Sequence, residues 1–398
     1  KGSKLIIMAI YKLFPEKDAA IYSAYPAMNT GLDPILEVNN KVTDLNPTAQ
    51  VARTLVKFDQ DEIVNVLDNI AKVTASAGVV WDVDLNLYVA KASNVTIDSN
   101  IIVAPLSGSW NNGTGQYLDN NINGTGVSWK YTDFSGSNEW ITAGWAPLIT
   151  GSFSGSNNAG GGNWYTGSGG YPNIPQSLTS SQEFSLRSNK DLKVGVRPAV
   201  EVWYSSSQDI NAGLIEISNE GFIVKWDNEF EFITSSAITP QLSYYSVDTN
   251  TIYPPQLDIK WRDFDYNTGT LDVIDTPDLF VALDNNPGVF YSESINQFRL
   301  NVRPEFPVRT FKTSSLYTVN NALPSESYYA IKDLDTNEFI VDFDTQFTQI
   351  SCDETGSFFT VYMNGLEPER YYNILIQTNI KGNTIVMDEN YYFKVVNG

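Results

Sequence analysis

Asp82 and Asp84 stand two residues apart, and so do Asp227, Glu229 and Glu231. On a strand such residues share one face, with Cα atoms about 7 Å apart. Two carboxyl groups near that separation can divide acid and nucleophile duties in glycoside hydrolysis. That chemistry also needs a cleft. Both sets read instead as solvent-facing strand carboxylates, so no catalytic residue is assigned. A second pattern, Asp263, Asp265 and Asn267, offers oxygen ligands at i, i+2 and i+4, as calcium loops do. Its glycine, Gly269, comes one place late for an EF-hand, and Ile274 stands where the twelfth-position Glu belongs. Asp333, Asp335 and Asn337 repeat the spacing but have Glu338 at the glycine position. Turn or strand-end carboxylates are the expectation for both. Asp263, Asp265 and Asn267 remain the candidates for a structural calcium, and no other cofactor is expected.

Aromatic rings form the other chemical candidate. Trp110, Trp129, Trp140, Trp145 and Trp164 are concentrated in one part of the chain, with Tyr165 beside the last. Stacked on a concave face they would hold sugar rings, and packed together they would bury large apolar area. Packing is the favoured reading, with a carbohydrate or interface role as the alternative. Residues 145–181 are rich in Gly, Ser and Asn and read as an insertion projecting from the body of a domain. A floppy surface loop is the favoured reading, with docking onto a neighbour through Trp164 and Tyr165 as the alternative, because exposed aromatics are enriched in interfaces.

Composition removes several function classes. The chain has no histidine, which excludes Ser-His-Asp and Cys-His catalysis and most zinc sites. Its one cysteine, Cys352, cannot form an intrachain disulfide and reads as a buried inert thiol. Folding in a reducing cytoplasm fits that usage. Lys and Arg number 25 against 46 Asp and Glu, a formal charge of −21. Such a surface repels phosphate backbones and anionic lipid, so neither nucleic acid nor membrane is an expected partner. No Gly-rich phosphate loop, basic patch, signal-peptide core or membrane-length apolar run is found. Met8 looks like a natural start, and residues 1–10 read as an N-terminal extension. Asn94, Asn112 and Asn123 fit the glycosylation sequon but are read as turn residues.

The elements that must position these groups are mostly strands. Period-two alternation recurs in residues 85–89, 221–226, 256–261, 298–302, 358–362 and 371–376. Helical spacing is confined to Ile63, Val66, Leu67 and Ile70 after an acidic start, and to residues 196–204 with a start after Pro198. The class is all-β with one or two short helices. Turn residues at 266–278 suggest a boundary. They divide a larger domain, 11–268, from a smaller one, 275–398. In the latter, Leu366, Pro368 and Tyr372 form a Leu-x-Pro-x-x-x-Tyr pattern. In fibronectin-III or Ig-like sandwiches such a segment makes a tyrosine corner, whose hydroxyl bonds back to the chain.

Several motifs in one order resemble the DNRLRE-type domain, which implies a jelly-roll-like β-sandwich for residues 11–268. They begin with the strand from Asp18, the turn Asn29-Thr30-Gly31 and the strand Arg53-Thr-Leu-Val-Lys-Phe-Asp59. Trp110-Asn-Asn-Gly-Thr-Gly115, Gly126-Val-Ser-Trp129 and Glu139-Trp140 follow. Gly221-Phe-Ile-Val-Lys225 and Pro254-Pro-Gln-Leu257 complete the set, which covers roughly residues 11–266. Secreted members often carry a Trp-Ser/Thr-Glu segment before the Gly-Thr-Gly. Here Ser109-Trp110-Asn111-Asn112 stands there, so no sugar-binding residue is carried over. The wording of this part and of residues 298–334 is most similar to virion structural proteins of marine, cyanophage-like myophages. The resemblance implies a non-enzymatic, multi-copy particle protein on the outside of a neck, collar or tail. Its partners would be other virion proteins and copies of itself as a homo-oligomer, and its location the virion, assembled in the host cytoplasm. The alternative is a carbohydrate-binding adhesin or tail-fibre module for host surface polysaccharide. A polysaccharide-degrading enzyme comes third.

Overall fold

The structure is a computed structural model of the chain. It describes residues 9–43, 46–73, 79–95, 98–117, 125–140, 149–151, 160–167, 177–207, 217–231, 240–262, 264–284, 286–307 and 320–398. Strands in antiparallel sheets dominate, with a few short helices, and the class is all-β. Two compact units divide the chain. The N-terminal unit holds residues 13–70 and 82–258, and the C-terminal unit takes 259–398 together with 71–81 and the segment before Leu13. The division therefore falls at 258/259, ahead of the turn-rich stretch at 266–278.

The N-terminal unit is built on an eight-stranded sheet. In chain order its strands are β1 (Pro15–Tyr22), β2 (Ile35–Thr43), β3 (Asn46–Phe58), β4 (Val89–Ser93), β5 (Ser99–Pro105), β6 (Ser180–Phe184), β7 (Phe222–Trp226) and β8 (Gln241–Tyr245). Their spatial order is β6-β5-β7-β3-β2-β8-β4, with β1 also paired to β3. All these pairings are antiparallel. β7 reads as a nearly continuous apolar run because both of its faces are buried, and residues 51–56 of β3 are buried on both faces with Arg53 and Thr54 among them. One face carries the registered row Ala19–Leu55–Ile223–Ala104, and the tryptophan cluster packs against it.

The helices follow local signals. Asp59 caps Gln60–Asn65 by accepting from the amides of Asp61 and Glu62, which satisfies two orphan donors of the first turn. The next turn, Val66–Ile70, is a π-helix, so Ile63, Val66 and Leu67 are buried while Ile70 lies only half in. The second helix spans Arg197–Ser207 and begins one residue before Pro198 rather than after it. Proline is tolerated in a first turn, where its missing N–H would have no helical partner. A third helical turn, Asn228–Glu231, has no counterpart in the periodicity.

In the C-terminal unit two sheets enclose one core, giving a β-sandwich. The four-stranded sheet contains β9 (Leu279–Asp284), β11 (Ile295–Pro304), β14 (Ser351–Asp353) and β15 (Gly356–Tyr362), in the order β9-β11-β15-β14. The five-stranded sheet contains β10 (Val289–Tyr291), β12 (Ser327–Asp333), β13 (Phe339–Val341), β16 (Tyr371–Ile380) and β17 (Asn383–Val396), in the order β10-β17-β16-β12-β13. Phe298, Leu300 and Phe359 from the first sheet meet Tyr329, Ile331, Tyr372 and Phe393 from the second. The rings of Tyr329 and Phe359 stack 4.4 Å apart, joining the two layers.

Candidate interaction face

The four described tryptophans among those singled out by the sequence are not a platform. Trp110, Trp129, Trp140 and Trp164 are each at most 6 % exposed and share one core cluster with Leu106, Val127 and Ile223. No sugar ring or neighbouring protein can stack on rings so covered. Trp110 donates its indole N–H to the Glu220 carbonyl at 2.9 Å, and Trp140 donates to the Ser128 carbonyl at 3.0 Å. Trp164 lies on a short strand, Asn163–Tyr165, paired with Ile149–Gly151 and bridged to Leu106. The insertion thus returns Trp164 to its own unit, because an indole gains more by filling this core than by standing in water. Tyr165 is only half-buried. Trp145 lies outside the described residues.

Behind these rings sits a buried charge cluster. The guanidinium of Arg53 forms a fork on Glu231, with Nε to Oε1 at 2.6 Å and Nη2 to Oε2 at 2.9 Å. A third donor of Arg53 meets the Gly161 carbonyl. Lys225 reaches Glu231 Oε2 at 2.8 Å and the Trp226 carbonyl at 2.6 Å. Burial pushes the Lys225 ammonium below the ordinary lysine range, while the Glu231 charge opposes that shift. The Arg53 guanidinium lies 4.8 Å from the Trp129 ring centroid and 5.3 Å from that of Trp164. The reading of Asp227, Glu229 and Glu231 as one strand face is therefore corrected. They lie on and before a helical turn, where Asp227 caps Phe230, Glu229 is exposed and Glu231 is sealed inside. Sealed from solvent and already held by two buried cations, the Glu231 carboxylate is closed to a substrate. Asp82 and Asp84 do lie on a strand, Val80–Leu87, where the Asp84 carboxylate is 4.0 Å from Lys193.

The motifs that carry the family resemblance interlock. Asn29 Nδ2 donates to the carbonyls of Asn112 and Val127, both at 2.7 Å, while its Oδ1 accepts from the Gly115 amide at 2.8 Å. Asn112 Nδ2 returns a bond to the Gly31 carbonyl at 2.7 Å. The backbones cross so closely that a Cβ on Gly31 would lie 2.1 Å from the Asn112 carbonyl oxygen. Gly113 and Gly126 meet at the same crossing with φ of 80° and 105°, a region that favours glycine. Gly31→Ala should therefore destabilise the N-terminal unit by about 3 kcal/mol through overpacking. Urea unfolding followed by tryptophan fluorescence measures it, and a wild-type midpoint would refute so tight a crossing.

The acidic turns are occupied by the chain's own donors. Asn267 Oδ1 accepts from the Gly269 amide at 3.1 Å, and the Asp265 carbonyl accepts from the Cys352 amide at 3.2 Å. Asp263 lies outside the described residues. Asp333 is held by Arg370 at 2.6 and 2.8 Å and accepts from the amides of Asp335 and Thr336, so its oxygens close a turn. Among the described residues no group of three His, Cys, Asp or Glu side chains is arranged to hold a metal ion. At the other end of this segment the Tyr372 hydroxyl donates to the Glu367 carbonyl at 3.0 Å. That bond closes residues 367–372 with Pro368 inside the loop and buried Leu366 just before it, the back-bond expected of a tyrosine corner.

Exposed aromatics gather elsewhere, on the outward face of the five-stranded C-terminal sheet. Alternation along each strand sends Phe290, Tyr372, Phe393 and Val395 into the core and their neighbours outward. Register then aligns the outward residues in two rows. The first runs Val289–Lys394–Tyr371, with Leu334 beyond, whose amide bonds the Tyr371 carbonyl at 3.0 Å. The second runs Tyr392–Asn373–Lys332–Phe339 and is broken at Asn373, which is buried and donates to the Asp388 carboxylate at 2.9 Å. With Tyr291 beside them, the six apolar or aromatic residues here are between 39 % and 63 % exposed. Lys394 and Lys332 lie over the rings of Tyr371 and Phe339, with Nζ 5.8 and 5.7 Å from the centroids. Exposed aromatics grouped on one sheet face mark an interaction site more often than scattered surface residues do. Single-strand alternation marks each outward ring in the sequence, but only cross-strand register reveals that they adjoin.

No family model matches the chain, and neither does any curated protein. Among solved structures, the crystal structure of a DUF4785 family protein from Legionella pneumophila aligns at 9 % identity with a TM-score of 0.16. That alignment covers 99 % of this chain and 64 % of the other, so the chain spans just under two thirds of the length of the protein it aligns with.

Proposed function

We propose that the chain is a non-enzymatic structural protein of a bacteriophage particle, present in several copies on the outside of a neck, collar or tail. Its partners are other particle proteins and further copies of itself. The observation that carries this reading is the exposed Tyr, Phe and Lys face of the C-terminal sandwich, set in a chain whose Trp110, Trp129, Trp140 and Trp164 are used up in its core. Rigid sandwiches present such faces without rearrangement, which lowers the ordering cost of association. The strongly acidic remainder limits sticking to a packaged genome. The resemblance of residues 11–266 to DNRLRE-type modules supports the same reading. Quantitative mass spectrometry of purified particles tests it: the chain is expected at several copies per particle, and its absence would refute the assignment. The second reading, a carbohydrate-binding adhesin, draws on the same exposed tyrosines, because sugars stack on such rings. It predicts glycan-array binding that is lost on Tyr371→Ala.

A further inference from the structure

We infer that residues 246–249 form a clasp that lies shut on Asp18 while that carboxyl is neutral and opens locally when it ionises. Three hydrogen bonds tie the segment to the rest of the N-terminal unit. The Ser246 amide donates to the Pro34 carbonyl at 3.1 Å, and the Ser246 hydroxyl donates to the Asp33 carbonyl at 2.6 Å. The third runs from the Val247 amide to Asp18 Oδ2 at 2.7 Å. The first two acceptors are backbone carbonyls and do not titrate. Asp18 does, and it stands 1 % exposed on β1. The segment also braces itself, because Asp248 and Thr249 return amide bonds to Ser246.

The surroundings of Asp18 do little for its charged form. β3 places Val56 opposite it. The turn before β2 contributes Thr30, whose hydroxyl bonds the Ala20 carbonyl, and Asp33, whose carboxylate faces the amides of Ile35 and Tyr117. On β1 itself Glu16 pairs with Lys57, and Lys17 reaches the Trp110 carbonyl. The clasp brings Asp248, a like charge. Among the described residues no cation pairs with Asp18. A carboxylate sealed there suffers desolvation and repulsion that one amide bond only partly offsets. Relief requires that some element move. β1 is registered with β3 over residues 15–22, so shifting it breaks a ladder. The clasp is held by three bonds, with Asp248 exposed and Val247 half-buried. Lifting it lets water reach Asp18 and parts the two carboxylates, so local opening costs less than unfolding the sheet. Further along the same connection, Tyr253 rests on the rings of Tyr88 and Tyr245, with centroids 5.5 and 5.9 Å away, and the opening ends there.

Hydrogen–deuterium exchange of the full chain at pH 5 and pH 8, each referred to the intrinsic exchange rate at that pH, tests this. Burial lifts the held carboxyl from 3.8 to about 7, so the clasp is most secure below pH 3.8 and weakens as pH rises to about 7. Protection of the amides of Val247, Asp248 and Thr249 should fall about 100-fold between the two pH values. The amides of β1 and β3 should stay protected at pH 8. Asp18→Asn should keep the clasp protected at both pH values. Asp248→Asn, which changes an exposed side chain, should leave it several-fold better protected at pH 8 than in the wild type. Three results would each overturn the inference: clasp amides that exchange equally at both pH values, that exchange only together with those of β1 and β3, or that lose protection in Asp18→Asn as they do in the wild type.

Discussion

Glu231→Gln should cost the N-terminal unit about 3–5 kcal/mol. The substitution keeps the shape of the side chain and removes its charge. Arg53 and Lys225, each at most 1 % exposed, then remain buried without their counter-ion. Breaking a buried ion pair by deleting one partner costs more than the pair itself stabilises, because the remaining charge keeps its full desolvation penalty. Here two cations are left rather than one. The rings of Trp129 and Trp164 over Arg53 offset only a part of this, of the order of 1–2 kcal/mol for a desolvated cation–π contact. Most of the tryptophans belong to the N-terminal unit, so their fluorescence reports its unfolding in urea. A loss below about 1 kcal/mol would show that solvent reaches the cluster and that it does not hold the insertion onto the sheet.

The second large effect is a dependence on pH set by Asp18. Its side chain is 1 % exposed, and Oδ2 accepts from the Val247 amide at 2.7 Å. Burial pushes its carboxyl up from 3.8 to about 7, the Val247 bond opposes the shift, and the nearby Asp248 charge adds to it. The folded pKa is therefore above the unfolded one. Its contribution to stability is fully present below pH 3.8 and is lost as pH rises through about 7. Over that window the gap corresponds to about 4 kcal/mol. The wild-type N-terminal unit should thus be more stable near pH 5 than near pH 8. Asp18→Asn keeps an acceptor for the Val247 amide and carries no charge, so it should stabilise the unit at pH 8 and flatten the profile. Some slope should remain, because burial also raises the carboxyls of Asp33, Glu37 and Asp248. Urea midpoints at both pH values measure the effect, and parallel profiles for wild type and variant would contradict it.

What the sequence made legible were features written in neighbouring residues. Alternation located the strands at 221–226, 256–261 and 371–376, and apolar spacing after an acidic cap located the helix from Gln60. Features that depend on distant pairing were not legible. Arg53 and Glu231 are separated by 178 positions, and nothing near either marks the other. The turn Asn228–Glu231 is too short for periodicity, so its carboxylates looked like a strand face. Trp164 looked like a projecting ring because its surroundings are Gly, Ser and Asn. Its burial comes from Leu106 and Trp129, brought to it by the sheet. The candidate face is hidden for the same reason: Val289, Tyr371, Phe339 and Tyr392 come from four strands.

We propose that this chain works through a protein-binding face on its C-terminal sandwich while its buried tryptophans hold the fold. An electron cryo-microscopy map of the intact particle, with the chain traced and its copies counted, tests that claim most directly. The predicted result is several copies on the outside of the neck, collar or tail, each with Tyr371 and Tyr392 covered by a neighbouring chain. A particle without the chain, or one in which that face is bare in every copy, would contradict it.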